Sequence, residues 1–217
     1  MLTIYGHPFS SYTWKALIPL YANGTQFEFR EVGPDHPANG EFVQAAHPAG
    51  KFPVLVDGDA TVIEATAIVE HLALHHPGSA PLIPADPAEA VTARMLDRVF
   101  DSYVMNGGVM RVVAAYLVDM DNPDPAEVDG GKEGLRRVYS WLETWLAANT
   151  LPQHVSLVTC AAAPSLFYAD WVERIPEDCP HLTALRAELL ALPPVARCVD
   201  DARPYRPLFP LGAPDRD

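Results

Sequence analysis

The stretch from residue 50 to residue 68, Gly-Lys-Phe-Pro-Val-Leu-Val-Asp-Gly-Asp-Ala-Thr-Val-Ile-Glu-Ala-Thr-Ala-Ile, constrains the fold of this chain more than any other. Pro53 has no backbone donor, so it belongs at the first position of a strand rather than in the middle of one. Residues 54–56 are an aliphatic, β-branched run, and Asp57-Gly58 is a strong signal for a tight hairpin. Residues 61–63 answer as the returning strand. Glu64, Ala65 and Thr66 then open an apolar pattern at helical spacing: Ala67, Ile68, His71 and Leu72, with Leu74 and His75 one turn on. Two sets of unpaired backbone groups therefore lie side by side. Phe52, before the strand, is free to pair with an extended peptide. The helix start at residues 64–66 offers free N–H groups and a dipole that attract a carboxylate. A small peptide with an anionic end fits both.

The rest of the first third alternates strand and helix. Residues 2–5 form a short strand, and Gly6-His7-Pro8 turns out of it. Ser10 and Ser11 suit the N-cap of a helix over residues 12–21, which Pro19 is expected to bend or end. Residues 26–31 alternate polar and apolar as a half-exposed strand does. Residues 41–46 suit one or two helical turns. Residues 77–87 are linker chemistry, with prolines 77, 81, 84 and 87 and Gly78. Helical periodicity then runs to the end: a long helix over residues 89–118 with a weak point at Gly107-Gly108, an acidic loop over 119–131, a helix over 132–148, an apolar helix over 157–174, and shorter helices over 182–192 and 195–202. The expected organisation is an N-terminal α/β domain over residues 1–77, a linker over 78–88, and an all-helical domain over 89–217.

Composition removes whole classes of function. The 217 residues carry 28 acidic against 15 basic side chains, a net charge of −13. That opposes binding to nucleic acid or to an anionic membrane surface, which demand clustered cations. No apolar run reaches the roughly 18 residues of a membrane span, and residues 1–5 lack the basic, apolar build of a signal peptide. Three cysteines without close spacing fit a reducing compartment. A cytoplasmic location is the expectation.

With these motifs the chain resembles the glutathione S-transferases, matching their signature at Gly50, Pro53, Leu55, Glu64, Ala67 and Ile68. The run Asp97-Arg98-Val99-Phe100-Asp101-Ser102-Tyr103-Val104-Met105 is similar to the first long helix of bacterial members. Ser156-Leu157-Val158-Thr159 aligns with the Ser/Thr-x-x-Asp capping box of the family's core helix. Two departures stand out. Ala65 replaces the usual Ser, removing a hydrogen bond of about 1 kcal/mol. Thr159 replaces the Asp, which is expected to forfeit the reciprocal half of the box.

The resemblance implies a thioredoxin-like N-terminal domain followed by a helical bundle, with a cis-proline at Pro53 and glutathione as co-substrate. It places the glycyl carboxylate near Lys51 or His36, the cysteinyl backbone against Phe52 and Pro53, and the γ-glutamyl end on Glu64 and Ala65. It assigns the sulfur contact to the loop after the first strand, where Ser10, Ser11 and Tyr12 are the candidates. A small apolar electrophile would sit between the domains, against Phe9, Tyr103, Met110, Tyr116 and Trp171. A homodimer is implied, and no metal. The expected activity is that of a glutathione transferase. Glutathione-dependent isomerase, dehalogenase or thiol-disulfide reductase chemistry and a non-catalytic binding role are the alternatives. His71, His75 and His76 have ligand-like helical spacing, but the sequence shows no carboxylate or cysteine beside them to complete a metal set.

Overall fold

The computed structural model describes all residues from Met1 to Asp217. Its first third builds one mixed sheet from β1 (Leu2–Gly6), β2 (Phe27–Glu31), β3 (Val54–Asp57) and β4 (Ala60–Ile63), in the order β2-β1-β3-β4. β1 runs parallel to β2 because the helix α1 (Ser11–Ala22) carries the chain across between them. The hairpin predicted at Asp57-Gly58 makes β3 and β4 antiparallel, with Gly58 at φ +59°. Two further helices, α2 (Pro37–Ala46) and α3 (Ala65–His75), complete this thioredoxin-like domain.

α1 is not cut by Pro19. It continues to Ala22 because Trp14, Ala16, Leu17, Ile18 and Leu20 are all buried, and their packing outweighs one missing N–H near the last turn. α2 begins at Pro37, earlier than the sequence pattern indicates.

The remainder is helical. α4 (Pro87–Arg98) continues into a wider-wound segment, Val99–Met110, with i→i+5 hydrogen bonding, and then into α5 (Arg111–Val118). The glycines expected as a weak point lie inside the wide segment, and a side chain at Gly108 would overlap Leu135 of the neighbouring helix. That neighbour, α6 (Pro125–Ala148), begins within the stretch expected to be loop, because Asp124 caps it by accepting from the Ala126 N–H and Pro125 suits the first helical position. α7 (Leu157–Val172) is buried at every position and forms the centre of the helical domain. α8 (Pro180–Ala191), α9 (Pro193–Ala202) and a 3₁₀ turn (Arg203–Leu208) follow. α1 packs against α3 and also against α7 and α9, so one core spans both halves of the chain.

The capping box of α7 is intact, contrary to the expectation from Thr159. The Ser156 N–H donates to Thr159 Oγ1 at 3.1 Å, and the Thr159 N–H donates to Ser156 Oγ at 3.5 Å. A threonine hydroxyl is long enough to replace the carboxylate of the usual box.

Candidate functional site

The sheet register assembles the site. Tyr5 pairs with Val54, and Val54 pairs with Ile63. One step further, Gly6, Pro53 and Glu64 lie level at one end of the sheet. The loop into α1 leaves from the first of these positions, the Phe52–Pro53 bond is cis, and α3 starts from the third. Phe52 lies outside both ladders, so its backbone groups take no part in the sheet.

The loop from His7 to Ser10 is held from several sides. The His7 N–H donates to Thr13 Oγ1 at 3.3 Å, and the Phe9 N–H donates to His7 Nδ1 at 3.1 Å. The Trp14 indole donates to the Pro8 carbonyl at 2.6 Å. From the helical domain, the Tyr168 hydroxyl donates to the Phe9 carbonyl at 2.8 Å. Partial burial holds the His7 imidazole below its usual pKa, with Glu31 opposing. Ser10 caps α1, its Oγ accepting the Thr13 N–H at 3.2 Å while its own proton stays available to a ligand. Ser11 is the first helical residue. Tyr12 instead turns to the helical domain and donates to the Asp101 carbonyl at 3.4 Å. Burial, with the nearby Asp101 charge, raises its phenol pKa above the ordinary value. Of the three sulfur candidates, Ser10 and Ser11 stand at the start of α1, and Tyr12 is engaged by the helical domain.

At the opposite wall, Glu64 has φ +70°, a left-handed conformation that costs a non-glycine residue of order 1 kcal/mol or more. Its carboxylate is 74% exposed and open to a ligand cation. The buried His47 steadies it. His47 Nδ1 accepts the Ala49 N–H at 3.0 Å, which leaves the ring proton on Nε2, 3.3 Å from Glu64 Oε1. Ala65 is buried at the start of α3. Lys51 is exposed with no ion-pair partner, and His36 is an exposed residue before α2 whose side chain makes no capping bond.

Behind α3 lies a buried charge cluster that the sequence did not reveal. Lys15, 1% exposed, donates to Asp101 Oδ2 at 2.6 Å and to Thr66 Oγ1 at 2.8 Å. Its Nζ also lies 2.5 Å from Asp97 Oδ1, a charge contact outside the angular range of a hydrogen bond. Arg98 closes the cluster from solvent, donating to Asp97, Asp101 and Thr66. Burial raises the Asp101 carboxyl pKa, and Lys15 opposes that rise. The cluster ties α1 and the second residue of α3 to the helical domain. Its one sequence signal was a lysine inside the apolar run Trp14-Lys15-Ala16-Leu17-Ile18.

The expected electrophile wall is only partly assembled. Phe9 lies edge-on to Tyr168 at 5.4 Å between ring centroids and reaches Trp171 at 6.3 Å. Trp171 is a buried member of α7 rather than an open wall. Tyr103 lines a groove of about 450 Å³ with Gly107, Arg111, Arg137 and Trp141 against α6. Helical phase places it on that face, which the sequence pattern alone did not separate from the cleft. Met110 is half-exposed and Tyr116 packs on the core. A cleft of about 710 Å³ between β2, α1 and α9 touches the His7–Ser10 loop at Pro8 but contains none of residues 51–53 or 64–65.

A thioredoxin-like sheet followed by a helical bundle, with α1 and α3 both starting at one end of the sheet, defines the class of fold. Residues 4–80 match the family model described as glutathione S-transferase, N-terminal domain. FtsZ-localized protein A of Caulobacter vibrioides is 32% identical over 144 residues, 60% of this chain and 61% of that protein. The uncharacterized GST-like protein YibF of Escherichia coli is 29% identical over 194 residues, 87% of this chain and 93% of that one. The solved structure of glutathione S-transferase III in its apo form superposes with a TM-score of 0.76 at 27% identity, covering 92% and 95% of the two chains. The chain thus carries a match to the glutathione S-transferase N-terminal domain over residues 4–80, and along its length it shares the fold of a solved glutathione S-transferase. No helix is long and apolar enough to cross a membrane.

Proposed function

We propose that this protein is a glutathione transferase that binds glutathione between the two helix N-termini and activates its thiol for attack on an apolar electrophile. The observation that carries this reading is the levelling of Gly6, Pro53 and Glu64 by the sheet register, with α1 and α3 starting on either side. Phe52 offers its free backbone to the cysteinyl unit. The exposed carboxylate of Glu64 takes the γ-glutamyl ammonium, and the first N–H groups of α3 take its carboxylate. Lys51, free of other partners, would take the glycyl carboxylate, with His36 as the other candidate cation.

The thiol would sit before α1, where Ser10 or Ser11 donates a hydrogen bond. A serine hydroxyl titrates too high to act as a base, so its role is to favour the thiolate. A thiol starts near pKa ~8.5, and lowering it by about two units requires roughly 2.7 kcal/mol of thiolate preference. One hydrogen bond to a charged group supplies about 1.5–3 kcal/mol, and a helix terminus about 0.3–1 kcal/mol more. The two together meet the requirement. Phe9 supplies apolar surface beside this point. The same site suits the isomerase and dehalogenase alternatives, which differ only in the electrophile. A thiol-disulfide reductase is disfavoured, because all three cysteines are buried at positions 160, 179 and 198.

The second reading is a non-catalytic binding protein on the same fold. Ala65 favours it, having lost the hydroxyl that usually grips the γ-glutamyl end, and so does the similarity to FtsZ-localized protein A. Titration calorimetry with glutathione separates the two. The native chain should bind, Ala65→Ser should tighten binding about fivefold for one added hydrogen bond, and Ser10→Ala should raise the pKa of the bound thiol. A native chain that does not bind, with no binding restored by Ala65→Ser, would favour the binding-protein reading.

A homodimer is part of the proposal, the N-terminal domain of each chain lying against the helical domain of the other. Exposed apolar side chains on the two surfaces support it: Leu74 on α3, and Val91 and Met95 on α4.

A further inference from the structure

The far end of α3, away from the glutathione site, carries a second constellation. Asp57 ends β3, His71 sits in the last turns of α3, and His76 follows the helix directly. His71 Nε2 lies 3.0 Å from Asp57 Oδ2, and His76 Nε2 lies 2.7 Å from the same oxygen. All three ligand atoms fall within 4.8 Å of one another. Their side chains are 14%, 24% and 29% exposed for His71, Asp57 and His76, so the group is held in place yet reachable from solvent. The carboxylate that the sequence lacked beside these histidines is brought to them by the β3–β4 hairpin.

We propose that Asp57, His71 and His76 form a binding site for a divalent transition-metal ion of the zinc type. Two neutral imidazoles and one carboxylate suit zinc, copper or nickel, whereas calcium and magnesium prefer all-oxygen sets. In a tetrahedral centre with bonds of 2.0–2.1 Å, ligand atoms stand about 3.3 Å apart. The 2.7 and 3.0 Å contacts need to open by only a few tenths of an ångström to admit an ion. Both Nε2 atoms lie against the same carboxylate oxygen, so a single ion seated among the three ligand atoms would replace the two protons that bridge them now. The set supplies one negative ligand in a chain of net charge −13, so the long-range field favours a cation. Three protein ligands leave a fourth position for water. His75, its ring 4.4 Å from that of His71, flanks the site. A bound ion would pin the C-terminal end of α3 to the hairpin, independently of glutathione.

The test uses the untagged full chain, stripped with a chelator and titrated with Co²⁺, then with Zn²⁺. The expected result is the visible d–d absorption of a nitrogen- and oxygen-ligated Co²⁺ centre, saturating at one ion per chain and bleached by Zn²⁺. Changes in the outer shell alone cost about 10–100-fold in metal affinity, so His71→Gln and Asp57→Asn should each lose at least about tenfold. His181→Gln, on α8 and paired with Glu143, should change nothing. Absence of the bands, or bands kept undiminished in both ligand variants, would overturn the site. If those variants fail to fold, paramagnetic broadening by Co²⁺ in the native chain decides it. Broadening centred on residues 57, 71 and 76 supports the site, and broadening centred elsewhere rejects it.

Discussion

Lys15 shows how far one side chain can be committed by its surroundings. It sits in an apolar helix, yet it is fully buried against Asp97, Asp101 and Thr66. Removing one partner from a buried ion cluster typically costs 3–5 kcal/mol, because it strands the remaining charges. Arg98, half-exposed and paired with both aspartates, softens that loss. Lys15→Met should therefore destabilise the fold by about 3 kcal/mol at neutral pH, read from denaturant unfolding. The sign with pH follows from the stranded acids. Burial already raises the Asp101 pKa, and loss of Lys15 raises it further. A folded-state pKa above the unfolded value of about 3.9 contributes stability at low pH that is lost as pH rises through it. The deficit of Lys15→Met should thus shrink as pH falls toward about 4. A deficit that stays constant with pH would mean that the aspartates do not carry the cost.

At the level of the element, α7 is the informative case. Every one of its residues is buried, so its docking depends on a clean start. That start is the reciprocal Ser156–Thr159 box, where a short hydroxyl does the work of a carboxylate. Thr159→Ala should lower stability by about 1 kcal/mol, within the usual range for a lost cap. Thr159→Asp should restore it, which separates the cap from packing of the methyl group. Equal stability of the native chain and Thr159→Ala would show that the box contributes nothing. The wide winding of Val99–Met110 is a second property of an element rather than of a residue. It lies where Gly108 lets α6 approach, and it carries Asp101 to the charge cluster and Tyr103 to the opposite face.

The two halves of the molecule are joined at three points near the proposed glutathione site. Tyr168 grips the loop at Phe9, Tyr12 reaches Asp101, and Lys15 ties α1 to both aspartates. The loop that would meet the sulfur is therefore positioned from the helical domain as well as from its own helix. The proposed dimer belongs to the same scale. The exposed Leu74, Val91 and Met95 offer an apolar surface that a second copy would cover. Sedimentation should report twice the 23.7 kDa chain mass, and Leu74→Glu with Met95→Glu should shift it toward the monomer. A native chain that sediments as a monomer at micromolar concentration would remove the dimer from the proposal.

What the sequence determined by itself was everything encoded by near neighbours. The hairpin at Asp57-Gly58, the strand starting after Pro53, the helix starting after Glu64, the caps at Ser10 and Ser156, and the proline-rich passage between the two halves all rest on local turn chemistry and on periods of two or 3.6 residues. Those signals also carried the family resemblance, from which the proposed glutathione site follows. What only the tertiary structure decided were contacts between residues far apart in the chain. Lys15 and Asp101 are 86 positions apart, and Tyr168 and Phe9 are 159 apart. Asp57 meets His71 and His76 only because the hairpin folds back beside α3. Tyr103 lines a groove with α6, a neighbour far along the chain that helical spacing alone does not name. Periodicity says that a side chain is buried or paired, but sheet register and helix phase choose its partner.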